Sequence, residues 1–136
     1  MPQMIFVNLP VKDLETAKGF FGKLGFSCNP QFTDESTACL VISDTIFVML
    51  ISEPRFKEFT KKEIADASRT TEAIIALSAE SREKVDELAD AALASGGSPA
   101  NDPIDHGFMY GRSFQDSDHH IWEVMWMDPA AVQSQD

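Results

Sequence analysis

The chain has 136 residues, 43% of them apolar and 24% charged, which is a globular composition, too apolar for disorder and sized for one domain or two small modules. Acidic side chains outnumber basic ones 22 to 11, a formal charge of -11, which argues against nucleic acid and anionic membrane surfaces as partners, since both recruit Lys and Arg. No apolar run approaches the roughly 20 residues that span a bilayer, and the opening Met1-Pro2-Gln3-Met4 has neither a basic n-region nor an apolar h-region, so the expected location is the cytoplasm, with Cys28 and Cys39 as free thiols.

Residues 4–11 alternate like a strand, with Ile5, Val7, Leu9 and Val11 on one parity. Pro10 cannot donate a ladder hydrogen bond, so it belongs at the strand's end or on an edge. Asp13 then caps a helix in which Leu14, Ala17, Phe20, Phe21 and Leu24 recur at helical spacing, and Gly25 stops it. Gly19 and Gly22 weaken that helix by about 1 kcal/mol each relative to Ala. Strand-like runs follow at 26–33, 37–43 and 45–51, the last two joined by a tight turn at Asp44-Thr45. Residues 52–70 break the pattern. They gather five of the eleven basic residues with Phe56 and Phe59, have room for one or two helical turns, and read as a linker or a lid.

The pattern then restarts. Residues 71–79 are strand-like; Ser81 caps a helix carrying Val85, Leu88, Ala89, Ala92 and Leu93, which ends at Gly96-Gly97. Residues 98–106 are a loop or a poor strand, 107–115 and 119–127 are strands, and 128–136 form a polar tail. Each half therefore reads strand, helix, three strands. Ser43–Met49 matches Ser117–Glu123 at an offset of 74, a weak internal repeat. Neither half is long enough to bury a good core alone, so the two are expected to form one domain: module one over about 4–51 and module two over about 71–127.

Val11-Lys12-Asp13-Leu14 running into Phe20-Phe21-Gly22-Lys23-Leu24-Gly25-Phe26, and Gln115-Asp116-Ser117-Asp118-His119-His120-Ile121-Trp122-Glu123-Val124 near the end, resemble the vicinal oxygen chelate superfamily. That group includes glyoxalase I, bleomycin- and fosfomycin-resistance proteins and extradiol dioxygenases. The resemblance spans residues 4–127. It implies an α+β fold in which two tandem βαβββ modules form a curved mixed sheet whose concave cup holds a divalent metal. It also implies a homodimer, because single-chain members usually pair and sheet edges need covering.

The resemblance places the first metal ligand seven residues before Asp13, at Phe6, and the second at Met49. The third falls at Ile74, or at Glu72 if the register shifts by two, and the fourth at Glu123. In the simplest register three of the four positions are apolar, and one carboxylate does not hold a catalytic metal tightly. The expectation is accordingly of no metal, with Glu123 as its ligand if one is bound. His119-His120 resembles a metal pair, but adjacent strand residues point to opposite faces and cannot readily serve one ion.

Strand parity puts Met4, Phe6 and Asn8, then Glu72, Ile74, Ala76 and Ser78, then Ile121, Glu123, Met125 and Met127 toward the cup. Trp122, Val124 and Trp126 face the helix of module two. A methionine-rich wall with a few polar islands suits a flat organic ligand. His106, in a loop, and Tyr110 and Arg112, on a strand, offer polar contacts; Arg112 either forks a substrate carboxylate or pairs with surface acids. The candidate substrate contacts are Phe6, Asn8, Met49, Glu72, Ile74, Tyr110, Arg112 and Met125, and Glu123 is the candidate catalytic residue. The resulting reading is a protein that binds a small organic molecule in the cup beside a degenerate metal site. Two alternatives stay open: a metal-dependent lyase or dioxygenase with an unusual ligand set, and a metal-free enzyme with Glu123 as general base.

Overall fold

The computed structural model describes residues 2–131, which divide into two compact units at Asp66/Ala67. The first holds β1 (Ile5–Val11), α1 (Leu14–Lys23), β2 (Ser27–Cys28), β3 (Thr37–Val41), β4 (Ile46–Ser52) and the short α2 (Glu53–Phe56). The second holds β5 (Ile74–Ser78), α3 (Arg82–Ala94), β6 (Ser98–Pro99), β7 (Ile104–Asp105), β8 (Met109–Gln115) and β9 (Ile121–Met127). The strand-helix-strands order repeats as the sequence pattern predicts. The last five residues of the expected tail lie outside the described residues.

In the first unit the sheet order is β1-β4-β3-β2, with β1 parallel to β4 and the other pairs antiparallel. Asp13 caps α1 by accepting a hydrogen bond from Thr16 N at 3.1 Å, and the chain leaves the helix through Gly25 at φ 99. The parity of β1 lays Val11 beside Leu14, Ala17, Phe20 and Phe21 of α1, and Ala38, Leu40, Val48 and Leu50 complete a core of residues at most 7% exposed. Phe20 and Phe21 meet edge to face at 4.9 Å. Pro10 sits within β1 rather than at its end, which the sheet tolerates because β1 is an edge strand.

In the second unit the order is β5-β9-β8-β6, and β7 adds to β8 beside β6. Ser81 caps α3 through Lys84 N at 3.1 Å. Val85, Ala89 and Ala92 of α3 are fully buried with Phe114, Trp122 and Val124 of β8 and β9. The α+β reading holds: each unit carries one open mixed sheet, of four strands in the first and five in the second, as the two tandem modules expected from the sequence require.

Several boundaries move for local reasons. The run at 26–33 is a strand for two residues only. Asn29 then accepts from Gln31 N, and Pro30 opens a 3-10 turn through Phe32. The strand expected from residue 71 begins at Ile74, the first residue that β9 pairs. At 98–106 two short strands flank an irregular segment, and both pair with β8. Residues 53–59 do form two short helical turns, the first packed against β1 and β4, with the Arg55 guanidinium over the Phe59 ring at 4.8 Å.

Candidate functional site

Each sheet turns one face to its helix and leaves the other open. In the first unit the ladder sets Phe6 opposite Phe47 and Asn8 opposite Met49, all on the open face. Phe6 and Phe47 stack at 4.9 Å with their planes 11° apart, and Phe6 remains 49% exposed. In the second unit Ile74 lies opposite Ile121 and Ala76 opposite Glu123. The two ladders are therefore equivalent row by row: Phe6/Phe47 corresponds to Ile74/Ile121, and Asn8/Met49 to Ala76/Glu123. Within their units, Phe6, Asn8 and Met49 share one face, and so do Ile74, Glu123 and Met125.

The open face of the second unit contains a cavity of about 130 Å3. Its floor is the β8–β9 ladder, and one side is the irregular segment between β6 and β7, which brings in Asn101 and Asp102, together with Ile104 of β7. That segment is fastened to β8: Asn101 N donates to Ser113 Oγ at 2.8 Å, and Ser113 Oγ donates to Asn101 O at 3.2 Å. Ser113 is the cross-strand neighbour of Glu123, and its hydroxyl is engaged with Asn101. The half-buried carboxylate of Glu123 makes no hydrogen bond or ion pair among the described residues. A carboxylate in this position has acceptor capacity to offer a donor from outside the chain.

Two of the sequence-derived candidates, Tyr110 and Glu72, do not join Glu123, and a third, Arg112, lines the cavity with its guanidinium turned away. Tyr110 and Arg112 occupy the other parity of β8 and point to α3. Tyr110 Oη donates to Asp86 at 2.5 Å, while Arg112 reaches Asp86 at 3.1 Å and Asp90 at 2.8 Å. The Tyr110 hydroxyl, more than Arg112, holds the Asp86 carboxyl below the usual carboxylate range, and the same bond pushes the Tyr110 phenol up. Arg82 lies over the Tyr110 ring at 4.4 Å and bonds Asp105 at 2.5 Å. The network satisfies its own members: the Tyr110 hydroxyl and the Arg112 guanidinium are engaged with α3, although Arg112 also lines the cavity that holds Glu123. Glu72 is exposed in the segment ahead of β5, and Ala76 takes the place beside Glu123. His106 is exposed; its N–H donates to Met109 O and its ring stacks on Phe108.

Asp116, in the closing motif, is a functional position that residue type and spacing alone do not distinguish from a solvated turn acid. It is 3% exposed and accepts from Asp118 N at 2.9 Å, His120 N at 3.0 Å and Trp122 Nε1 at 2.9 Å. Burial pushes its carboxyl up, against the opposing pull of His120 and these donors. Asp116 shapes the hairpin that leads β8 into β9 and thereby sets where Glu123 stands. His119 sits at the corner at φ 70, a conformation in which its side chain is exposed.

The donor set does not fit a tightly held divalent ion. At the four positions implied by the resemblance, Phe6 offers a ring already stacked on Phe47, Met49 a thioether, Ile74 nothing and Glu123 one carboxylate. Among the described residues no three His, Cys, Asp or Glu side chains are grouped to share an ion.

Residues 3–43 match the sequence family described as bleomycin resistance protein-like N-terminal. A search of curated proteins matches none. Among solved structures, a hypothetical protein from S. aureus is 29% identical, with a TM-score of 0.77 over 93% of this chain and 95% of that one. A glyoxalase/bleomycin resistance protein/dioxygenase family enzyme from Burkholderia phytofirmans is 14% identical, with a TM-score of 0.75 over 93% and 99%. The genomically encoded fosfomycin resistance protein FosX of Listeria monocytogenes is 17% identical, with a TM-score of 0.66 over 99% and 96%. No helix among the described residues is long and apolar enough to cross a membrane. The repeated modules, the equivalent ladders and these matches give the chain the glyoxalase/bleomycin-resistance fold, with a bleomycin-resistance-like N-terminal segment at residues 3–43.

Proposed function

We propose that this protein binds a small organic molecule on the open face of its second module, through a nitrogen that donates hydrogen bonds to Glu123. The carrying observation is the half-buried Glu123 carboxylate, which has no partner among the described residues although its cross-strand neighbour Ser113 is fully engaged. A ligand donor that reaches this carboxylate takes the place of solvent without breaking a bond inside the chain. Three ionisable residues line the cavity: the acids Glu123 and Asp102, and Arg112, whose guanidinium is already paired with Asp86 and Asp90. This charge pattern favours an ammonium or amidinium over a carboxylate. Ile104 and Met125 supply apolar walls for the rest of the molecule.

The apolar ligand positions and the unfilled carboxylate support binding without a resident metal. A second reading rests on the same carboxylate: with no partner holding it, Glu123 is free to accept a proton from a bound carbon acid, as a metal-free general base. We also propose that the protein is a cytoplasmic homodimer. The exposed Ile5 and Phe6 on edge strand β1 support pairing of the chain.

Benzylamine is a suitable first probe. Titration into wild-type protein, followed by amide chemical shifts, is expected to give saturable changes at Ser113, Glu123 and Met125, with a Kd of order 1 mM for so small a ligand. Glu123→Gln is expected to weaken binding at least tenfold, whereas benzoate is expected to cause no change at these residues. Equal responses to both compounds would refute the binding mode. Turnover of a carbonyl substrate that is lost in Glu123→Gln while its binding persists would favour the general-base reading.

A further inference from the structure

A Cβ built on Gly111 would lie 2.2 Å from Met125 Sδ and 3.1 Å from Met125 Cε. No side chain at residue 111 is compatible with that placement. The ladder explains the closeness: Ile104, Gly111 and Met125 form one row across β7, β8 and β9, all on the Glu123 face. The Met125 thioether has therefore folded down over the buried backbone of Gly111, into the space an ordinary residue would fill. Ile104, Gly111 and Met125 all line the cavity, and Glu123 stands in the next row of β9.

We propose that Gly111 and Met125 set which ligands this cavity takes: Met125 is the lining residue that limits size, and Gly111 is the positioning residue that gives it its seat. The inference rests on the ligand site argued above. A cavity of about 130 Å3 is close to the roughly 150 Å3 that accommodates a benzene ring. Met125 is the wall beside Glu123 in this cavity, so a fused two-ring group that reaches the carboxylate needs the volume of the Met125 side chain. Methionine is flexible enough to be displaced, so a Cβ at residue 111 evicts it from its seat rather than breaking the fold. Once evicted, the thioether shares the open face with the ligand.

The experiment compares benzylamine with 1-naphthylmethylamine on four proteins, by amide and methionine-methyl NMR. Wild type is expected to bind benzylamine and to bind the naphthyl amine at least tenfold more weakly. Met125→Ala is expected to reverse that order. Gly111→Ala is expected to shift the Met125 methyl resonance and to lose at least fivefold in benzylamine affinity. Gly111→Ala combined with Met125→Ala, in which the collision is absent, is expected to behave like Met125→Ala alone. A loss caused by general damage to β8 would persist in the double variant, so its rescue separates ligand selection from a structural role. If wild type binds benzylamine but Met125→Ala keeps the wild-type order of preference, the size-limiting role is wrong and the site itself stands. If wild type binds neither amine, the site fails and this inference fails with it. If Gly111→Ala does not fold, the Met125→Ala comparison alone decides.

Discussion

The carboxylate of Asp116 accepts a hydrogen bond from the indole Nε1 of Trp122 at 2.9 Å, across the hairpin that joins β8 to β9. Trp122 is 1% exposed and packs in the core of the second unit, while Glu123, its neighbour in sequence, stands on the open face. Fixing the indole therefore fixes the pleat that presents Glu123. Asp116→Asn puts an amide among three N–H donors and leaves one of them facing another donor. It is expected to lower stability by about 1–3 kcal/mol, read by urea unfolding, and to alter the near-ultraviolet dichroism of the tryptophans. An unchanged urea midpoint would show that the hairpin does not depend on this carboxylate.

Asp116 and Asp86 depart from ordinary carboxyl behaviour in opposite directions, so their linkage to pH has opposite sign. Burial raises Asp116 in the folded state, so its contribution is full below the ordinary carboxylate value and is lost as pH rises through the raised value. The Tyr110 hydroxyl lowers Asp86, so its contribution is present above the ordinary value and is lost as pH falls through the lowered value. Urea midpoints measured from pH 7 down to pH 3 are expected to show this. Relative to wild type, Asp86→Asn flattens the acid-side loss of stability, and Asp116→Asn removes a component that grows on acidification. Parallel pH profiles for both variants would contradict these assignments.

Tyr110→Phe tests which face of β8 the phenol serves. The variant loses the 2.5 Å bond to Asp86, but Arg112 still reaches that carboxylate. A cost of about 1 kcal/mol in unfolding free energy is expected, with no change in the benzylamine Kd. A drop in amine affinity with unchanged stability would return Tyr110 to the ligand site.

Two backbone positions carry avoidable costs. Gly19 lies inside α1 on its exposed side, and a Cβ there meets nothing within 4 Å. Gly19→Ala is expected to stabilise the protein by about 0.5–1 kcal/mol. His119 holds φ 70 at the exposed hairpin corner, so His119→Gly is expected to stabilise by about 1 kcal/mol. Thermal unfolding of the two single variants checks both; a lower Tm for either would mean that the residue makes a contact its exposure conceals.

The fold was legible because its signals are local and periodic. Asp13 and Ser81 cap the helices, Gly25 follows the first helix at positive φ, and the parity of β1 and β9 sorts core from open face. The same parity put Phe6, Asn8 and Met49 on one face, and Ile74, Glu123 and Met125 on another. Which side of β8 each residue serves is not legible from parity alone. Tyr110 and Arg112 alternate with Gly111 and Ser113, and the Ser113↔Glu123 pairing, unknown from sequence, decides which set shares a face with Glu123. The acids that claim Arg112, Asp86 and Asp90, are four residues apart on α3, a spacing that marks one helix face. Gly111 inside a strand pattern was a readable sign of a close approach. Its partner Met125 was not readable, because the contact depends on register between strands. Asp116 was hidden because a buried acid and a solvated turn acid look alike in one sequence.

A crystal of the wild-type protein soaked in benzylamine shows whether Glu123 is the group that receives the amine. Density for the amine is expected in the second module, its nitrogen within hydrogen-bonding distance of a Glu123 carboxylate oxygen and its ring against Ile104 and Met125. Amine bound only beside Asp86 and Asp90 on the helix face, with the Glu123 cavity unchanged at saturating concentration, would contradict it.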